Sequence, residues 1–124
     1  MTKEGALYSF WRGFSLPAFE ENSVPTGENA PDFPYITYQV ATNNLYNDVA
    51  LTGSIWYDST SWKEINAKAE EISEHINNAK PIKCDNGYVW IKKGNPISQS
   101  LGDPLNDKIK RKIINIEVNY LTEY

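Results

Sequence analysis

The stretch that decides the fold is Ile109-Lys110-Arg111-Lys112-Ile113-Ile114-Asn115-Ile116-Glu117-Val118-Asn119-Tyr120-Leu121. Ile114, Ile116, Val118 and Tyr120 alternate with Asn115, Glu117 and Asn119, the period of two that gives a strand one dry face and one wet face. A half-dry strand needs a second layer over its apolar side. That layer is legible upstream. Trp62, Ile65, Ala69, Ile72, Ile76 and Ala79 step by three and four along a helix predicted over about Trp62–Ala79, while Lys63, Glu64, Glu70, Glu71 and Glu74 take its wet side. Ser61 and Glu64 stand in capping-box spacing at its start. At ~1.5 Å per residue this helix is about 27 Å long, enough to lie across a sheet.

Working outward, Leu7, Phe10, Trp11 and Phe14 mark a second amphipathic helix over roughly Thr2–Phe14, ended by Leu16-Pro17. Pro17–Pro34 carries four prolines and four acids and reads as a long irregular connection. Tyr35–Ala41 and Ala50–Tyr57 are rich in β-branched and aromatic residues and flank a polar tip, predicting an antiparallel hairpin with a protruding turn over 42–49. Asn86-Gly87 is a strong hairpin signal, joining a short strand Ile82–Cys84 to one over Tyr88–Lys93. Gly94-Asn95-Pro96 is read as its end and Gly102-Asp103-Pro104 as a further turn. The expected fold class is α+β: one domain over 1–124, with a mainly antiparallel sheet of about five strands and two helices packed on one face.

Composition narrows function. The chain has 124 residues, a net charge of −4 and one cysteine. Cys84 alone makes no internal disulfide, which fits synthesis in a reducing cytoplasm. No apolar run approaches the ~20 residues of a membrane-spanning helix, and Met1-Thr2-Lys3-Glu4 leads into no apolar signal core. No membrane partner is therefore expected. Charge is unevenly placed: residues 1–79 hold four basic residues against eleven acidic ones, whereas 80–112 hold eight against three. Opposed acidic and basic regions suit head-to-tail contact between copies. A pI near 5.0 argues against a nucleic-acid partner.

Catalytic parts are missing. His75, the one histidine, sits beside Ile76 with Glu71 a turn earlier; a metal pair or an oriented base is conceivable there, and a solvated helix residue is the plainer reading. Cys84 reads as a small buried hydrophobe, and Ser59, Thr60 and Ser61 as cap chemistry. No glycine-rich phosphate loop, CxxC pair or acidic metal cluster occurs. No catalytic residue, metal or cofactor is expected.

What remains is surface. With helices on one face only, some of Trp56, Tyr57, Tyr88 and Trp90 must point away from them, and the turn over 42–49 carries Leu45 and Tyr46 where polar residues are usual. Lys108, Lys110, Arg111 and Lys112 form a short basic patch whose plainer role is protection of a strand edge. The candidate subunit or partner interface is Leu45, Tyr46, Asn47, Trp56, Tyr57, Trp90, Lys92 and Arg111. An alternative is a small binding module that stacks sugar rings or single-stranded bases on the aromatics.

The order of motifs resembles the tail-terminator, or tail-completion, proteins of tailed bacteriophages. The likeness runs through Tyr8-Ser9-Phe10-Trp11, Leu16-Pro17-Ala18-Phe19, Val24-Pro25, Phe33-Pro34-Tyr35-Ile36-Thr37-Tyr38, Ser54-Ile55-Trp56-Tyr57, Ser61-Trp62, Val89-Trp90-Ile91-Lys92-Lys93-Gly94, Arg111 and Ile114-Asn115-Ile116. The resemblance implies a homo-oligomer, a hexameric ring, that caps the tail tube and joins it to the head–tail connector protein. Tube and connector proteins are thus the implied partners, the virion neck the implied location, and a protruding hairpin loop is implied at Asn43–Asp48.

Overall fold

In the computed structural model, which describes residues 1–45 and 47–124, the chain runs α1 (Lys3–Arg12), β1 (Ala18–Glu20), a 3-10 turn (Gly27–Asn29), β2 (Tyr35–Tyr38), β3 (Val49–Asp58), α2 (Lys63–Asn78), β4 (Ile82–Cys84), β5 (Gly87–Asp103) and β6 (Asn106–Thr122). The six strands form one sheet in the order β1-β2-β3-β6-β5-β4. All neighbours are antiparallel except β1 and β2. The α+β class with two helices over one face stands; the sheet has six strands rather than five, and it is mixed.

The additional strand is β1. Three residues are too few to display a period, so the Pro-rich segment around them reads as irregular. The backbone of Ala18–Glu20 nevertheless lies in register with Ile36–Tyr38. The first strand of the predicted hairpin is shorter than expected, ending at Tyr38. β5 is longer than expected: it continues through Gly94-Asn95-Pro96, with a register shift between Lys93 and Ser98. A bulge accommodates a proline that lacks an N–H, so pairing with β6 resumes at Ser98↔Ile114. Gly94 is needed here, because a Cβ would lie 2.8 Å from the Asn115 backbone.

The core forms where the stripes predicted it. Leu7, Trp11 and Phe14 from the first helical segment and Ile65 and Ile72 from α2 are almost fully buried against Ile36, Ile55, Val89, Ile114, Ile116 and Val118. Side chains of β3 with odd numbers and of β6 with even numbers share this covered face, since Ile55 pairs with Lys112 and Gly53 with Ile114. The connection between β2 and β3 is held on its described residues: Leu45 N–H donates to Tyr120 O (2.9 Å), Lys3 Nζ to Asn43 O (2.7 Å) and Asn44 Nδ2 to Glu123 O (3.3 Å).

Candidate assembly interface

The uncovered sheet face carries two aromatic–cation clusters, and strand register builds both. Tyr35 pairs with Trp56 and Trp56 with Arg111 across β2, β3 and β6, so the three side chains stand side by side on the open face. Tyr35 and Trp56 are nearly parallel (17°, centroids 6.2 Å apart), and the Arg111 guanidinium lies 4.7 Å from the Trp56 ring on its other flank. Trp56 is therefore held on both sides. Its Nε1 donates to Thr37 Oγ1 (2.9 Å), and Arg111 Nε donates to Ser54 Oγ (3.0 Å). Phe33 packs on Tyr35 at 5.3 Å and Phe19 at 6.4 Å, so both ends of the Pro-rich connection border this cluster. Burial pushes the Tyr35 hydroxyl pKa up. Beside the cluster is a groove of about 220 Å³ lined by Trp56, Leu101, Pro104, Ile109 and Arg111 among others.

The second cluster lies across β5 and the turn before β3. Lys92 Nζ lies 5.0 Å from the Trp90 ring and pairs with Asp48 Oδ2 at 2.7 Å, while Asn119 Nδ2 donates to Asp48 Oδ1 at 2.8 Å. The hydrogen bonds from Lys92 and then Asn119 hold the Asp48 carboxyl below its ordinary pKa. Trp90 remains 41% exposed, with Tyr88 and Leu121 similarly open beside it.

The eight candidate residues thus divide. Trp56 and Arg111 meet in the first cluster, and Trp90 and Lys92 in the second. Leu45 is 65% exposed and Asn47 is also exposed in the turn, whereas Tyr46 lies outside the described residues. Tyr57 corrects the expectation: it is buried in the covered face. The reason is parity, because Tyr57 shares its side of β3 with Ile55 and Gly53. Sequence reasoning missed Phe33, Tyr35 and Leu101. Tyr35 is recoverable from the hairpin register with Trp56, but Leu101 is not, since Gly94-Asn95-Pro96 breaks the local strand pattern before it. Leu105, at the tip of the β5–β6 hairpin, is 96% exposed.

The groups considered for catalysis sit elsewhere. His75 lies on α2 against the Phe10 and Phe14 rings (5.9 and 5.2 Å), and Glu71 pairs with Lys68. Cys84 is buried and its thiol pKa is raised, chiefly by that burial. Among the described residues no three His, Cys, Asp or Glu side chains gather as a metal site, and no helix is long and apolar enough to cross a membrane.

No family model matches the chain, and no curated protein matches it. Among solved structures, a chain from the virion of a native gene transfer agent particle has a similar fold. The TM-score is 0.63 over 94% of this chain and 92% of that one, at 13% sequence identity. At that identity the likeness is one of fold.

Proposed function

We propose that this chain is a structural virion component: a tail terminator that assembles into a ring, caps the tail tube and presents a surface to the head–tail connector. The observation that carries the reading is the end-to-end fold likeness to a chain of a virion particle. The motif order described above supports it, as does an uncovered sheet face bearing two aromatic–cation clusters. Exposed aromatics with arginine are what a subunit interface buries. Opposed acidic and basic regions suit a heterologous contact that closes into a ring.

Size measurement in solution with negative-stain imaging tests the reading. Closed rings, or rings formed on added tail tubes, are the expected result. A protein that stays monomeric at all concentrations and never attaches to tubes overturns it. The stacking-module alternative is disfavoured by Trp56, both of whose flanks are already occupied by Tyr35 and Arg111. Unchanged tryptophan fluorescence on adding oligosaccharide or oligonucleotide is the outcome expected here.

A further inference from the structure

The chain carries an apolar knob at one end of its sheet and an apolar hole at the other. The knob is the tip of the β5–β6 hairpin, Asp103-Pro104-Leu105-Asn106-Asp107. Leu105 is 96% exposed, yet the turn that bears it is tied down. Asp103 Oδ1 accepts from Leu105 N (2.8 Å), and Asn106 Oδ1 accepts from Lys108 N (3.0 Å). Lys110, itself buried, donates from Nζ to Asp107 O. A leucine presented on a fixed turn has little backbone freedom left to lose on binding, so the apolar area it buries counts almost fully towards affinity.

The hole lies where α2 ends. β4 covers β5 only at Gly87–Val89, and beyond that no strand lies outside β5 among the described residues. At this step a cleft of about 370 Å³ opens over Phe10, Ile82 and Ile91, with His75, Asn78 and Ala79 as its wall. That is ample room for a leucine side chain. A second cleft of about 300 Å³ shares Ala79 and Ile91 with the first and reaches Trp90 and Lys92. The groove is thus continuous with the second aromatic–cation cluster of the candidate interface.

Charge matches as well. The linings of the two clefts include Lys80, Lys92 and Lys93 and no carboxylate. Lys92 is paired with Asp48, whereas Lys80 and Lys93 form no ion pair among the described residues. The five residues of the tip hold two carboxylates and no cation. A subunit cannot close this contact on itself. Ile109, next to the tip, pairs with Asp58 just before α2 begins, and the cleft is at the last turn of that 16-residue helix, about 24 Å further on. Knob and hole at opposite ends define a heterologous contact, which only a second copy completes.

We infer that Leu105 at the β5–β6 tip docks into the cleft between the end of α2 and β4–β5 of a second copy, with Asp103 and Asp107 facing Lys80 and Lys93. Burial of the leucine supplies affinity, and the charges fix which end meets which. The inference rests on the proposed self-assembly and names the contact that carries it from subunit to subunit.

Sedimentation velocity on the full chain over a concentration series tests it. Leu105→Asp removes the knob from a fully solvated position, so self-association should weaken by about tenfold or more. Leu105→Met, which keeps an apolar side chain, should associate like the parent. Ala79→Arg fills the hole and should weaken association to the same degree. An equimolar mixture of Leu105→Asp and Ala79→Arg retains one working knob and one working hole, so it should give 1:1 dimers and nothing larger. Circular dichroism reports whether each subunit is intact, and Lys80→Glu serves as the variant on the hole side if Ala79→Arg does not fold. Association unchanged in Leu105→Asp, or no dimer in the mixture, overturns the docking contact while the ring reading stands. A parent protein that never self-associates overturns both.

Discussion

Gly53 faces the Trp11 indole so closely that an added Cβ would lie 2.4 Å from ring atom Cη2. Gly53→Ala must push the indole or the strand aside. It should cost about 1–3 kcal/mol, read as a lower urea midpoint. Tyr120 makes a pH prediction. It is buried, its hydroxyl donates to Ala41 O, and burial, with Glu4 adding, pushes its pKa from 10.0 up to about 12. Folding therefore favours the protonated phenol. That contribution is whole below pH 10 and drains away as pH climbs towards 12. Unfolding midpoints should fall through this window, and the fall should be shallower in Tyr120→Phe. Side-chain parity along each strand was legible and placed Trp56 and Arg111 outward. The proximity of Gly53 to Trp11 was not, because nothing local marks which glycine lies beneath a helix.

At the scale of elements, the two helices begin differently. Thr2 Oγ1 accepts from Gly5 N at 3.0 Å and caps α1. Thr2→Ala should cost about 1 kcal/mol. The predicted capping box on α2 does not form: Trp62 occupies the cap position, and Ser61 Oγ accepts instead from Lys63 N at 3.1 Å. Ser61→Ala should therefore cost about 0.5–1 kcal/mol, and Glu64→Gln close to nothing. Thermal unfolding of the pair checks both. The long helix and the alternating β6 were readable because each repeats its period several times. β1 has no room for a period. The second half of β5 lies behind a proline that ends the local pattern without ending the ladder.

For the whole molecule, opposed charge makes assembly sensitive to salt. If copies meet through opposite charges, association should weaken as salt shortens the Debye length to about 10 Å at 0.1 M and below. Light scattering across a salt series checks this, and salt-indifferent association would require an interface built on apolar and aromatic contacts alone. The sequence by itself determined the α+β class, the two helices, the faces of β3 and β6 and the separation of acidic from basic regions. These follow from periodicity and composition, which act between near neighbours. Only the tertiary structure decided that Tyr35, Trp56 and Arg111 form one stack and that half of β5 is an open edge. Those facts depend on which strands pair and in what register, and register is settled by contacts between residues far apart in the chain.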